Sequence, residues 1–146
     1  MSEKDYIYVE LDMSPPRVTH QRKKIVRVGN HCTLANTTQL NDAVRQYKAA
    51  LKPYAPERPL EGPLHVRFAF AFPYPARTPK KQRGTTLYKP TRPDWDNMAK
   101  TLQDAMTAVG FWYDDSQICS AVVEKFYCDE PGIRIYVGGG DYPWSI

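Results

Sequence analysis

Cysteine is scarce in this sequence of 146 residues, and long hydrophobic runs are absent. The three cysteines, Cys32, Cys119 and Cys128, form no C-x-x-C pair, and an odd number cannot all join in internal disulfides. No stretch approaches the ~20 apolar residues of a membrane span, and the polar N-terminus has no signal-peptide pattern. These absences argue against a disulfide scaffold, an exported protein and a membrane protein, and they predict a location in the reducing cytoplasm.

Acidic residues are missing from two long stretches, although the chain contains 16 of them. None occurs between Asp12 and Asp42 or from Gly62 to Pro93, and both stretches are rich in lysine and arginine. Basic segments beside a C-terminal acidic cluster are typical of a protein that holds a polyanion against a bound cation. The basic residues that we expect to contact the polyanion are Arg22, Lys23, Lys24, Arg27, Arg77, Lys80, Lys81, Arg83, Lys89 and Arg92.

The spacing of apolar residues predicts two helices and four strands. Strand-like patterns occur at 6–13, 64–72, 117–127 and 133–137. Helical spacing indicates one helix from Thr37 or Thr38 to about Leu51 and a second from Trp95 to Val109, ended by Gly110.

Two basic segments interrupt these elements. Residues 17–33 are predicted to form a hairpin-like or irregular arm, and the proline-rich residues 73–93 an exposed loop. The order β, basic arm, α, β, basic loop, α, β, β predicts one α+β domain over residues 1–146. In this fold, both helices cover one face of a mixed sheet.

Two aspartates stand at the predicted start of the second helix. Residues two apart on a regular helix point about 200° apart, so Asp94 and Asp96 can share a ligand only if they straddle the helix start. We therefore expect Asp94 to be extended and either Asp96 or Asn97 to cap the first turn. Lys100 follows one turn after Asp96 on the same helix face.

A second acidic pair, Asp114 and Asp115, directly precedes the strand at 117–127. If that strand runs beside the strand that ends at Phe72, the pair returns to the start of the second helix. The converging carboxylates would suit Mg²⁺ or Mn²⁺, whereas no His/Cys set has zinc spacing. Such a site would generate a hydroxide nucleophile and offset charge on a phosphate, with Lys100 neutralising the transition state or orienting an aspartate.

Ordinary structural explanations of the same residues remain open. An aspartate pair before an apolar helix is also a common N-cap, and Asp96, Lys100 and Asp104 also form a common exposed charge stripe. The chain could then be a non-catalytic protein that binds branched DNA. A metal-dependent nuclease acting on flaps or other structures is a further alternative. Trp112 is predicted to lie in the core or an interface rather than to stack on a base.

The acidic motif resembles the RusA family of Holliday junction resolvases. The resemblance rests on four groups of residues: Pro93-Asp94-x-Asp96-Asn97-x-x-Lys100, Asp104-Ala105, Gly110-Phe111-Trp112 and Asp114-Asp115-x-Gln117. It covers chiefly Lys89 to Lys125, with weaker agreement in the first strand, the Pro15-Pro16 step and the first helix.

The resemblance implies a small α+β subunit that forms a homodimer and makes paired nicks across a four-way DNA junction in recombination and repair. It implies dependence on Mg²⁺, with Mn²⁺ as a possible substitute, and no small-molecule cofactor. Carried over by position, the metal-binding and catalytic acids are Asp94, Asp96 and Asp115, and Lys100 is the catalytic lysine. Asp114 is a possible helper. The polyanion would be DNA, bound by the basic residues named above, and a phage or prophage origin is expected.

Overall fold

The computed structural model of the protein describes residues 6–17, 23–36 and 38–140. Within these ranges the helices and strands follow in the order β1 (Tyr6–Leu11), β2 (Lys23–Val28), β3 (His31–Asn36), α1 (Thr38–Leu51), β4 (Leu64–Phe72), β5 (Leu87–Tyr88), α2 (Trp95–Val109), β6 (Ile118–Tyr127) and β7 (Gly132–Gly139). Short 3₁₀ turns occur at Lys52–Tyr54, Lys80–Gln82 and Asp115–Gln117.

Five of the strands form one mixed sheet in the order β1-β7-β4-β6-β5. Strand β4 lies at its centre, parallel to β6 and antiparallel to β7, so that Phe68 is paired with Val123 on one side and Ile135 on the other. Strands β2 and β3 form a separate antiparallel hairpin. A mixed α+β domain is therefore confirmed.

Both helices pack on the same face of this sheet. The alternating residues of β4 explain why, since Val66, Phe68, Phe70 and Phe72 point into one core with Ile133, Ile135 and Val137 of β7. Helix α1 contributes Tyr47 and Leu51, and α2 contributes Met98, Leu102 and Met106. Burial of these side chains at about 1.5–3 kcal/mol each is the main force holding α2 against the sheet. The helix that carries the acidic motif therefore has a fixed orientation.

The opposite face of the sheet is covered by neither helix. Small and aromatic side chains, Ala69, Ala71 and Phe126, form a minor apolar cluster there. Tyr6, Tyr8, Tyr88, Val122 and Tyr136 are large hydrophobic residues that remain 41 to 77% exposed. We call this surface the open sheet face.

The sequence-based expectations for the helices and the four long strands are confirmed. The basic arm is a hairpin from Lys23 to Asn36, although residues 18–22 lie outside the described part of the chain. The prediction missed β5, since its two residues, Leu87 and Tyr88, are too few to show a pattern. The N-cap of α2 is Asp94 itself, so the prediction of a cap at Asp96 or Asn97 was wrong. No helix in the described ranges is long and apolar enough to cross a membrane.

Candidate active site

The two aspartates of the motif flank the first residue of α2. Asp94 is extended, with φ −69° and ψ 140°, and its side chain makes no capping hydrogen bond. Asp96 lies within the first helical turn. Both side chains are exposed, whereas the preceding Pro93 is buried. The carboxylates therefore face solvent at the positive end of the helix dipole, which stabilises negative charge.

Lys125 of β6 holds the segment that leads into Asp94. Its Nζ donates to the carbonyl oxygen of Thr91 at 2.6 Å and to that of Pro93 at 2.7 Å. Burial is the main cause that lowers the pKa of Lys125, and the charge of Lys89 lowers it further, while the charge of Asp94 acts in the opposite direction. Lys125 thus fixes the backbone beside Asp94 and supplies a positive charge near its carboxylate.

The acidic pair before β6 lies in a turn that is rich in hydrogen bonds. Asp114 caps this turn by accepting from the backbone N–H of Ser116 at 3.0 Å. The side chain of Gln117 accepts from the backbone N–H groups of Tyr113 and Asp114, at 2.8 and 3.1 Å. The same side chain donates to the carbonyl oxygens of Leu60 and Gly62, at 2.9 and 3.0 Å. Asp114 is thus a capping residue, and the turn presents Asp115 instead.

Lys100 connects α2 to this turn. Its Nζ lies 2.8 Å from Oδ2 of Asp115 and 3.0 Å from Oδ1 of Asp104. The hydrogen bond from Lys100 holds the pKa of Asp115 below its ordinary value, and the hydrogen bonds to Asp115 and Asp104 raise the pKa of Lys100. Lys100 and Asp115 are therefore both charged at neutral pH. Lys100 and Asp115, far apart in sequence, are in direct contact.

Comparison with known proteins identifies the family of this chain. The family model for endodeoxyribonuclease RusA matches residues 14–138. The chain is 30% identical over 128 residues to a crossover junction endodeoxyribonuclease rusA of Lactococcus phage r1t, covering 88% of this chain and 92% of that protein. It is also 30% identical over 100 residues to the uncharacterized protein YqaN of Bacillus subtilis (strain 168), covering 64% and 70% of the two chains.

The chain belongs to the RusA family. It is therefore an endodeoxyribonuclease, an enzyme that hydrolyses phosphodiester bonds within DNA. RusA-family nucleases generally depend on a divalent metal ion. The phage relative fits the expected phage or prophage origin.

The ligand atoms near the start of α2 are of the type that a hard divalent cation prefers. Asp94, Asp96 and Asp115 offer only carboxylate oxygens, the ligand type that Mg²⁺ and Mn²⁺ prefer. Within the described ranges, however, no three His, Cys, Asp or Glu side chains are grouped closely enough to hold a metal ion. Asp115 is instead bonded to Lys100. The RusA-family residues are therefore arranged as two parts, an aspartate pair at the helix start and a lysine–aspartate pair one turn along.

The basic residues named from the sequence lie in different environments. Arg27, Arg77, Lys80, Lys81 and Arg92 are exposed. The guanidinium of Arg83 is directed toward carbonyl oxygens of its own loop, those of Pro75, Ala76 and Thr78, each at 3.4 Å. Lys89 is only 5% exposed. Lys23 and Lys24 are on β2, and Arg22 lies outside the described residues.

Sequence reasoning did not assign a role to several residues around this RusA-family site. Gln117 was recognised only as part of the motif. Its hydrogen bonds to four backbone groups could not be predicted, because two of those groups, at Leu60 and Gly62, lie far away in the sequence. Lys125 was overlooked since it lies on a strand, 31 residues after Asp94. Its contact with the Thr91–Pro93 backbone exists only because β6 runs beneath the start of α2.

Proposed function

We propose that this chain resolves four-way DNA junctions by paired, symmetric nicks in recombination and repair, using Mg²⁺ or, as a substitute, Mn²⁺. The proposal rests on one observation. Two exposed aspartates lie at the N-terminus of α2, and the Lys100–Asp115 pair lies close by, where α2 meets the adjoining turn. The phage relative, a crossover junction endodeoxyribonuclease, supports the junction as substrate. The exposed basic loop supports a polyanionic substrate, and DNA as substrate supports a cytoplasmic location.

In this proposal Asp94, Asp96 and Asp115 are the catalytic acids. They would hold the metal ion once their carboxylates are drawn together, because no such group of ligands exists among the described residues. The bound ion would supply an activated water and offset negative charge on the phosphate. Lys100 lies between Asp104 and Asp115, so it orients Asp115 and keeps its carboxylate ionised. Its positive charge also lies where it can offset charge that develops in the transition state.

We further propose that the enzyme acts as a homodimer and that the open sheet face joins the two copies. A four-way junction has near-twofold symmetry, and a twofold dimer places one acidic site at each of two strands. In an isologous interface the same surface of each copy contacts its counterpart. Such a surface should therefore be apolar and should carry no net charge, because like charges would otherwise face each other. The open sheet face has both properties, since its two arginines are paired with glutamates, Arg67 with Glu124 at 2.6 Å and Arg134 with Glu10 at 3.9 Å.

This charge balance distinguishes the open sheet face from a DNA-binding surface, which needs a net positive charge. Val122→Glu adds a carboxylate in excess of the paired charges, at a position that is 52% exposed on this face and opposite Arg67 in the strand pairing. We expect the variant to be monomeric in sedimentation equilibrium at concentrations where the parent is a dimer. Arg45→Glu, on the exposed side of α1, is the matched control and should leave the dimer intact. A dimeric Val122→Glu protein would show that another surface joins the copies.

The proposed reaction is tested with a labelled four-way junction, a flap substrate and a linear duplex of the same sequence, each with and without Mg²⁺. We expect paired nicks close to the crossover, confined to the junction and abolished by Asp96→Asn. Asp42→Asn is the matched control, because Asp42 is an exposed aspartate on α1 whose nearest charge is Arg45 at 3.4 Å. Cleavage of the flap alone would assign the chain to flap nucleases. Metal-independent binding without cleavage of any substrate would contradict the proposed catalytic role.

A further inference from the structure

A buried lysine lies beside the candidate active site, and no carboxylate in the described part of the chain is paired with it. Lys89 is 5% exposed, and its Nζ donates to Oγ1 of Thr91 at 2.7 Å and to the hydroxyl of Tyr127 at 3.4 Å. It also lies 5.1 Å from the ring centroid of Phe72 and 5.2 Å from that of Tyr127. Among the described residues, no carboxylate lies within ion-pair distance of it. Removing an ammonium from water without an opposite charge is unfavourable, and ring contacts offset only part of that cost.

Two further cations surround the same aromatic pair. The guanidinium of Arg17 lies 5.4 Å from the centroid of Phe72. Lys125, already bonded to two backbone carbonyls, is close enough for the charge of Lys89 to lower its pKa. The hydrogen bond between Thr91 and Tyr127 is the main cause that lowers the pKa of Tyr127, and the positive charges of Lys89 and Arg17 lower it further. The cluster of Arg17, Lys89 and Lys125 therefore has an excess of positive charge. The negative charge of Asp94 acts on Lys125.

We infer that Arg17, Lys89 and the hydroxyl groups of Thr91 and Tyr127 form a binding site for one phosphate of the DNA strand, next to the phosphate that is cut. Guanidinium, ammonium and hydroxyl groups are all donors to phosphate oxygens, and a phosphate would supply the missing negative charge. The site adjoins Asp94 through Lys125, which bonds the backbone on both sides of Arg92. A strand bound here is held against the aspartates. This inference rests on the proposed function for its DNA substrate.

The site differs from the exposed basic loop in how it is built. Side chains such as Lys80 and Lys81 are solvated and adapt to any nearby phosphate, so they add affinity without fixing the position of the strand. Lys89 is held in place by two hydroxyl groups and two rings. A phosphate at this site therefore sets which neighbouring phosphate reaches the acids.

The experiment measures junction binding by the Asp96→Asn protein over a series of salt concentrations. Arg17→Gln in this background should reduce the slope of log K against log salt by about 1, because one phosphate contact is lost. Arg17→Lys should keep the parent slope. Arg45→Gln, on α1, is the matched control and should also keep it. A parent slope in a folded Arg17→Gln protein, as judged by circular dichroism, would overturn the inference.

Neutral methylphosphonate linkages, introduced one position at a time near the crossover, test the position of the contact. The Asp96→Asn protein should lose affinity at one linkage that flanks the nick. The Arg17→Gln, Asp96→Asn protein should lose less affinity at that linkage, because only Lys89 and the two hydroxyl groups still contact the phosphate. An equal loss in both proteins would show that Arg17 does not contact that phosphate and would overturn the inference.

The salt-dependence measurement is repeated on the linear duplex. If the slope change appears on both DNAs while the enzyme without substitutions nicks no junction, the phosphate site stands and the proposed function fails. If junctions are nicked but Arg17→Gln leaves every slope unchanged, the proposed function stands and the phosphate site fails.

Discussion

The Nζ atom of Lys100 lies 2.8 Å from Oδ2 of Asp115, although the two residues are 15 positions apart in the chain. The contact joins the second turn of α2 to the turn that begins β6. Two of the residues to which the RusA resemblance assigns catalytic roles are thereby brought together, and Asp115 is held in its ionised form. Three single substitutions test the arrangement around this pair, and a double substitution tests the basic loop.

Lys100→Met should reduce junction nicking about 10²- to 10³-fold, the usual effect of losing one electrostatic contact to a transition state. The free energy of unfolding should change by less than about 1 kcal/mol, because the Lys100 and Asp115 side chains are 47% and 32% exposed and such pairs contribute little. Single-turnover nicking and urea unfolding measure the two effects. Lys48→Met, on the exposed surface of α1, is the control. Parent-like nicking by Lys100→Met would rule out a catalytic role for this lysine.

Lys125→Met should weaken metal binding, since the Thr91–Pro93 backbone that positions Asp94 loses two hydrogen bonds. We expect half-maximal nicking to require several-fold more Mg²⁺, and Mn²⁺ binding measured calorimetrically without DNA to weaken similarly. Lys125→Arg should restore part of both. Lys52→Met, at an exposed position after α1, is the matched control. If nicking falls while Mn²⁺ binding is unchanged, Lys125 does not act through Asp94.

Gln117→Ala should lower the free energy of unfolding by about 1–3 kcal/mol, because it leaves backbone groups at both sides of the turn without partners. The side chain bonds the backbone at Tyr113, Asp114, Leu60 and Gly62. Urea unfolding measures this change. Gln103→Ala, on α2, is the control and should cost less. Nicking should also fall, since Asp115 lies within this turn. A stability loss no larger than that of Gln103→Ala would show that the four bonds contribute little.

Reversing charge at both Lys80 and Lys81 should weaken junction binding and flatten its salt dependence. Both side chains are exposed on the 3₁₀ turn at Lys80–Gln82, so Lys80→Glu/Lys81→Glu removes two potential phosphate contacts without disturbing the core. The slope of log K against log salt should fall by about 2. Lys48→Glu/Lys52→Glu reverses two exposed charges near α1 and should leave the slope unchanged. An unchanged slope in the Lys80/Lys81 variant would place this loop away from the DNA.

Periodic patterns made the helices and long strands predictable. The alternation from Leu64 to Phe72 and the helical spacing from Met98 to Val109 each arise from a single element with one buried side. The two residues of β5 lacked such a pattern and were missed. The cap of α2 was misplaced by two residues, because Asp94, Asp96 and Asn97 are all good capping residues and their sequence alone does not rank them.

The sequence by itself determined the nature of the chemistry. Asp94, Asp96, Lys100 and Asp115 were predicted because their residue types and spacing resemble the RusA motif, and oxygen-only ligands favour a hard cation. These properties depend on which residues are present and on local geometry. They need no knowledge of distant contacts.

Only the tertiary structure decided which distant residues support the acids. The parallel pairing of β6 with β4 carries Lys125 beneath the start of α2, and the antiparallel pairing of β5 with β6 brings Lys89 to Tyr127. Lys89 was therefore grouped with exposed loop residues, whereas it is buried between two rings. The physical reason is that burial and charge depend on what packs against a side chain from elsewhere in the chain. Local sequence patterns do not contain that information.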